Sequence, residues 1–126
     1  MPAAIPKFLL TPVTDEAQLE AALAHSYQEP IVLFKHSRHC GISHHVRQIL
    51  LQLAACRSVP VYEIVVQTAR PVSDAVARRL EVRHESPQAF VIYHGQVIFH
   101  ASHYAITLDA LNQTLDRLDT SDHLAQ

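Results

Sequence analysis

Hydrophobic residues recur at helical spacing in four segments of the chain, and short runs of strand length lie between these segments. Thr14, Ser73 and Thr107 precede three of the helical segments and are predicted N-caps, because their hydroxyl groups can accept hydrogen bonds from free backbone N–H groups. The remaining segment begins at Ile42, and the last one ends near Leu118. This pattern predicts four helices.

Four runs of strand length alternate with the helices, and they cover residues 31–34, 61–66, 89–93 and 97–101. The first run is apolar throughout, which is typical of a strand buried on both faces of a parallel sheet. A helix joins the first two runs, so they predict a right-handed βαβ unit. The dipeptide His94-Gly95 between the last two runs favours a tight hairpin turn.

The resulting order is helix, strand, helix, strand, helix, two strands and helix. This order predicts an α/β protein with a thioredoxin-like fold, in which helices flank a four-stranded mixed sheet and an extra helix lies at the N-terminus. A length of 126 residues fits a single domain, with a core expected at about residues 14–119.

Composition narrows the classes of function. The formal net charge is −2 at pH 7, which gives no basic patch for nucleic acid and no polybasic segment for a membrane surface. No apolar run approaches the roughly 20 residues of a membrane span. The chain has 2 cysteines, too few for the disulfide framework of a secreted protein, so we expect a cytoplasmic protein.

Cys40 lies at the predicted junction between the first strand and its helix. Open α/β folds bind their ligands at the carboxyl ends of the strands. The first turn of a helix presents unpaired N–H groups and the positive end of the helix dipole, and both favour a thiolate. Arg38 adds positive charge beside it, and His39 does so when it is protonated. Because the thiolate is the nucleophilic form, this position predicts a reactive cysteine.

The residue three positions after Cys40 is Ser43, where dithiol enzymes of the thioredoxin type have a second cysteine. A hydroxyl there can donate a hydrogen bond to the Cys40 thiolate but cannot resolve a mixed disulfide. The other cysteine, Cys56, is about 24 Å away along a continuous helix, whereas a disulfide needs Cα atoms within about 7 Å. We interpret Cys56 as a small hydrophobic residue at a helix end and predict a monothiol mechanism.

The dipeptide Ser86-Pro87 directly precedes the third predicted strand. In this architecture a proline at that position is typically cis and faces the reactive cysteine. The backbone of Ser86 would then pair with an extended substrate segment, as in strand addition. Without the upstream cysteine, an ordinary trans proline at a strand end would be the simpler interpretation.

Several short motifs together resemble the YtxJ-type monothiol bacilliredoxins, over roughly residues 31–118. They are Lys35-His36-Ser37-Arg38-His39-Cys40-Gly41-Ile42-Ser43, Arg70-Pro71-Val72-Ser73, His84-Glu85-Ser86-Pro87-Gln88, Gly95, Ser102-His103 and Ile106-Thr107. The resemblance implies Cys40 as nucleophile, Ser43 in place of a resolving cysteine and Pro87 as the cis-proline.

The same resemblance implies bacillithiol as thiol co-substrate, bacillithiolated proteins as partners and no tightly bound cofactor. Arg38, His39, Gly41, Ile42 and Ser86 are the predicted thiol-binding residues. The family usually has proline where Gly41 stands and a small polar residue where His39 stands. Both departures bear on thiolate stability and substrate preference, while the client proteins and the oligomeric state stay open.

Three alternatives remain at this point. The histidines at positions 36, 39, 44 and 45 crowd around Cys40, but their spacing matches a closed tetrahedral metal site poorly, so no metal ligands are assigned. Cys40-Gly41-Ile42-Ser43 is similar to the Cys-Gly-Phe-Ser motif of monothiol glutaredoxins that carry iron–sulfur clusters, although their Gly-Gly-Asp segment is missing. A non-catalytic thioredoxin-like module with a redox-sensing cysteine is the third.

Overall fold

A computed structural model describes residues 9–125, with side-chain positions as far as residue 119. Strands and helices alternate through most of the chain. In order they are β1 Thr11–Pro12, α1 Glu16–His25, β2 Ile31–His36, α2 Gly41–Cys56, β3 Val61–Val65, α3 Arg70–Leu80, β4 Gln88–Tyr93, β5 Gln96–Ser102, a 3-10 turn His103–Ala105 and α4 Leu108–Ala125.

The strands form one mixed sheet in the order β1-β3-β2-β4-β5, which confirms the thioredoxin-like α/β fold but corrects the predicted four strands to five. Strands β1 and β2 both run parallel to β3, while β4 is antiparallel to β2 and β5 is antiparallel to β4. The helix predicted as an extra N-terminal element is α1. It connects two strands of the sheet, β1 and β2, and is therefore part of the fold rather than an addition to it.

Strand β1 escaped prediction because it is only two residues long and contains a proline. Thr11 pairs with Tyr62 of β3, and the next backbone N–H, that of Val13, donates to the carbonyl of Glu63 at 2.8 Å. Two residues are too few to show a hydrophobic period, and Pro12 is tolerated because β1 lies at the edge of the sheet.

Two of the predicted helix caps are wrong. Asp15, not Thr14, caps α1, since its carboxylate accepts from the N–H of Gln18 at 2.8 Å. Helix α3 begins at Arg70 rather than after Ser73, because Pro71 suits a first helical turn, where a backbone N–H has no intrahelical partner.

Hydrophobic side chains fill both faces of the sheet. On β2 the residues 31–34 are completely buried, as the apolar run predicted. Ile31 and Leu33 pack in the core cluster that contains residues of α1 and α3, and Val32 and Phe34 pack in the cluster that contains residues of α2 and α4. The central strand is therefore fixed from both sides up to the point where the Cys40 segment begins.

The hairpin between β4 and β5 turns at His94 and Gly95, which confirms the predicted tight turn. Both residues have positive φ, 53° and 73°, as a type I′ turn requires. The N–H groups of His94 and Gly95 donate to the carbonyl and the hydroxyl of Ser26, at 2.8 and 3.0 Å. Strand β4, which begins beside the candidate site, is thus anchored at its far end.

Helix α4 continues to Ala125, beyond its predicted end near Leu118. Across residues 9–125, no helix combines the length and apolar character that crossing a membrane requires. The prediction of a single domain over the whole chain includes residues 1–8 and 126, which lie outside the described residues.

The two glycines of the chain provide a matched test of the turn. Gly95→Ala should lower the free energy of unfolding by about 1–2 kcal/mol, because alanine is strained at positive φ. Its Cβ would also overlap the phenol of Tyr27. Gly41→Ala should be neutral or stabilising by up to about 1 kcal/mol, since no atom lies within 4 Å of the added Cβ. Urea denaturation measures both, and equal losses would contradict this account.

Candidate active site around Cys40

Cys40 occupies the N-cap of α2, with φ −116° and ψ 119°. It is a free, partly exposed cysteine, and its side chain makes no capping hydrogen bond. Its carbonyl accepts the N–H of His44 at 3.2 Å, which closes the first helical turn. The sulfur therefore lies at the positive end of the α2 dipole, beside N–H groups that have no partner within the helix.

Ser43 does not serve Cys40 in the predicted way. Its side chain is completely buried, and its Oγ accepts the N–H of Ser37 at 2.8 Å and lies 2.9 Å from His36 Nδ1. Among the described residues it makes no hydrogen bond to Cys40. Ser43 is the third residue of α2 and faces the end of β2, so its hydroxyl joins the helix to the strand.

A second pair of contacts holds the segment between β2 and α2. The side-chain amide of Gln67 donates to Ser37 Oγ at 2.9 Å and accepts the N–H of Arg38 at 3.1 Å. His44 Nε2 donates to the carbonyl of Arg38 at 2.8 Å. No local pattern points to Gln67, which contacts residues about 30 positions earlier and lies on the connection that follows β3.

His36 and His44 pack edge to face, with ring centroids 5.0 Å apart. Burial lowers the pKa of His36, and the charge of Glu63 opposes that effect. Each ring also uses a nitrogen in the hydrogen bonds described above. Within residues 9–125 no group of three or more histidine, cysteine, aspartate or glutamate side chains is arranged to hold a metal ion.

The predicted thiol-binding residues on this segment surround the cysteine in different environments. Arg38, His39 and Gly41 are exposed, while Ile42 is half-buried and packs against the core cluster beneath α2. Arg38 is held through its backbone, which leaves its guanidinium at the surface. Arg38 therefore places a positive charge at the surface near Cys40, while Ile42 contributes to the core beneath α2.

The peptide bond between Ser86 and Pro87 is cis, as predicted. Pro87 is buried, and its carbonyl accepts the N–H of His103 at 3.1 Å. Gln88 pairs with Lys35 near the end of β2, so the Ser86-Pro87 loop and the Cys40 segment emerge at the same edge of the sheet. Within the described part of the chain, neither backbone polar group of Ser86 has a hydrogen-bond partner.

A buried lysine lies beneath this edge. Lys35 is completely buried on β2, and its Nζ lies 3.1 Å from Nδ1 of His84. Burial lowers the pKa of Lys35 to about 8, against an opposing effect of the Asp74 charge. The Ser73 hydroxyl, which does not cap α3, lies 3.3 Å from the same His84 nitrogen.

Cys56 is the last residue of α2, which confirms its predicted place at a helix end, but it is exposed and so does not pack as a small hydrophobic residue. The helix is continuous from Gly41 to Cys56, which separates the two cysteines by about 24 Å. An intramolecular disulfide between them would require unwinding of α2. A thiol that resolves a Cys40 adduct therefore has to come from another molecule.

Comparison with known proteins agrees with this geometry. Residues 11–111 match the family model described as BrxC, monothiol bacilliredoxin. A thioredoxin-fold protein assigned provisionally as an oxidoreductase is 27% identical, with a TM-score of 0.77 over 83% of this chain and 92% of that one. These matches support a thiol–disulfide redox function.

Two thioredoxins share the fold at lower identity. A mutant thioredoxin from Halobacterium salinarum NRC-1 is 13% identical, with a TM-score of 0.72 over 91% of this chain and 95% of that one. Thioredoxin from Trypanosoma brucei brucei is 15% identical, with a TM-score of 0.73 over 95% of this chain and 97% of that one.

The buried contacts of Ser43 predict a structural cost for its removal. Ser43→Ala should lower the free energy of unfolding by about 1–3 kcal/mol, because the Ser37 N–H and His36 Nδ1 lose a partner. Thr68→Ala, which removes an exposed hydroxyl, should change it by less than about 0.5 kcal/mol. Thermal and urea unfolding measure both, and equal effects of the two substitutions would refute the anchoring role.

The lowered pKa of Lys35 predicts a pH-dependent stability. The folded protein binds this proton less tightly than the unfolded chain does, so the cost of holding the charge is largest below about pH 8. Lys35→Met should therefore stabilise the fold by about 1 kcal/mol at pH 7, with an advantage that shrinks as pH rises from about 8 towards 10.5.

The matched control for Lys35→Met is Arg78→Met, which removes an exposed cation from α3. Its effect on stability should be independent of pH between pH 7 and pH 10, because arginine does not titrate there. Urea denaturation at several pH values measures both variants. A Lys35→Met advantage that grows with pH would contradict the assignment.

Proposed function

Because the chain belongs to the monothiol bacilliredoxin family, we propose that it is a thiol–disulfide oxidoreductase that removes bacillithiol from protein mixed disulfides through Cys40. The observation that carries this proposal is a single free, partly exposed thiol at the N-cap of α2 with no second cysteine within reach. Such a thiol can take up a low-molecular-weight thiol but cannot release it alone.

The electrostatics of the first turn of α2 support a nucleophilic Cys40. The N–H groups of Gly41, Ile42 and Ser43 are the first three of the helix and have no intrahelical partner. The hydrogen bond from the Ser37 N–H to Ser43 Oγ and the contacts of Gln67 with Ser37 and Arg38 fix the backbone beside the cysteine. A thiolate at this N-cap is stabilised by groups that need no rearrangement during the reaction.

The proposed reaction has two exchanges. In the first, the Cys40 thiolate attacks the bacillithiol sulfur of a client mixed disulfide, a new S–S bond forms, and the client leaves as a thiolate that takes a proton from solvent. In the second, the thiolate of a free low-molecular-weight thiol attacks the bacillithiol sulfur bound to Cys40. This step restores the Cys40 thiolate and yields a small disulfide, so electrons and atoms balance.

The segment of the client around its modified cysteine has a candidate docking position. Ser86 offers a backbone N–H and a carbonyl that are unpaired within the described residues, next to the buried Pro87. An extended client segment can pair with these groups as an added strand. Arg38 and His39 are exposed near Cys40, where the Arg38 guanidinium would meet the thiol co-substrate.

The test compares Cys40→Ser with Cys56→Ser. With a bacillithiolated client protein, Cys40→Ser should lower the release rate at least about 100-fold, because it removes the nucleophile. Cys56→Ser should stay within about twofold of the wild type, because Cys56 is far from the site. Release of the client thiol is followed by mass spectrometry over time.

Cys56 is exposed and will itself acquire adducts slowly, so the rate is the informative measurement. Exposure to oxidised bacillithiol and, separately, to oxidised glutathione identifies the preferred co-substrate. Rapid modification of Cys40 by oxidised bacillithiol but not by oxidised glutathione supports the proposal. Undiminished release by Cys40→Ser, or faster modification of Cys56 than of Cys40, would reject it.

A further inference from the structure

A cavity of about 400 Å³ opens beside the Cys40 segment. Ser37 and Gln67 line one side, Ser86 lines another, and Arg70 and Asp74 line it from the start of α3. Ser37 and Ser86 belong to the two loops used in the proposed reaction. Its volume is in the range of small-molecule sites, and Ser37, which lines it, belongs to the segment that leads to Cys40.

The charges around this cavity are unequal. Arg70 is exposed on its wall and forms no ion pair with any described residue. Lys35 adds a second positive charge from behind the wall, through the 3.1 Å contact of its Nζ with His84. Asp74 is the one carboxylate among the described lining residues. Among the lining residues Arg70 and Asp74 are one cation and one anion, and the charge of Lys35 behind the wall adds a positive excess, while Glu85, which also acts on His84, is engaged by Ser102 and His103.

His84 adds no further charge at neutral pH. A lysine ammonium can only donate hydrogen bonds, so Nδ1 of His84 accepts from Lys35 and the ring proton lies on Nε2. Burial and the charge of Lys35 lower the pKa of His84, in agreement with a neutral ring. The remaining wall is rich in hydroxyl and amide groups, from Ser37, Gln67 and Ser73.

We propose that this cavity binds a carboxylate of the small thiol co-substrate, with Arg70 as the contacting cation and Lys35 as a buried supporting charge. This inference rests on the proposed thiol–disulfide exchange at Cys40. Arginine suits the planar carboxylate, since its guanidinium can donate two parallel hydrogen bonds. The hydroxyl and amide groups of the wall can hydrogen-bond the remaining polar groups of a small, hydrophilic molecule. The sulfur of that molecule is then directed towards the Cys40 segment.

The first experiment measures binding without any redox step. Succinate is titrated into the reduced protein at constant ionic strength, and backbone amide shifts are followed by NMR. The amides of Ser37, Gln67 and Ser86 should shift together with succinate and remain unmoved with succinamide, its neutral analogue. Arg70→Gln should abolish these shifts, whereas Arg78→Gln on the same helix should leave them unchanged. Shifts that are equal for both ligands, or that survive Arg70→Gln, would overturn the subsite.

The second experiment measures how Arg70 affects the rate of thiol–disulfide exchange at Cys40. Arg70→Gln should slow the reaction of Cys40 with oxidised bacillithiol about tenfold and change that with hydroxyethyl disulfide, which has no carboxylate, by less than about twofold. Arg70→Lys should recover part of the loss. Equal slowing with both disulfides, or slowing with neither, would refute the assignment.

Two further outcomes separate the related hypotheses. Arg70→Gln should slow the removal of bacillithiol equally from peptides with and without acidic residues beside the modified cysteine. Slowing confined to the acidic peptide would show that Arg70 binds a carboxylate of the client instead. Wild-type protein that binds succinate but does not exchange with oxidised bacillithiol would retain the anion site and reject the proposed function.

Discussion

The candidate site depends on one buried hydroxyl. Ser43 Oγ accepts the Ser37 N–H at 2.8 Å and contacts His36 Nδ1 at 2.9 Å, so the first turn of α2 is tied to the end of β2. Strand β2 is fixed by core clusters on both faces of the sheet, and this contact extends that fixed frame to the helix. The N-cap sulfur is therefore held at the positive helix end by the backbone that Ser43 fixes, because the Cys40 side chain makes no capping hydrogen bond.

Most of the fold follows from hydrophobic period, and the exceptions have physical causes. The apolar run in β2 and the helical spacing in α2 are long enough to identify both elements and the junction at Cys40. Strand β1 has two residues and a proline, so its existence depends on its partner β3 rather than on its own sequence. The cap of α1 differs by one residue because Asp15 and Thr14 both offer a suitable side-chain oxygen.

The site was predictable in position but not in its contacts. A cysteine before a helix can be recognised from the sequence, whereas the direction of the Ser43 hydroxyl depends on which strand lies beneath it. The contact of Gln67 with Arg38 spans 29 positions, and that of Lys35 with His84 spans 49, so neither leaves a local pattern. Gln67 lines the cavity, and Lys35 adds a positive charge from behind its wall through His84.

The N-cap position should make Cys40 far more nucleophilic than an ordinary exposed thiol, and Cys56 in the same molecule provides the comparison. Alkylation by iodoacetamide at pH 7, followed residue by residue with peptide mass spectrometry, measures both rates in one sample. We expect Cys40 to react at least about tenfold faster than Cys56, although Cys56 is the more exposed of the two. Equal rates, or faster reaction at Cys56, would contradict it.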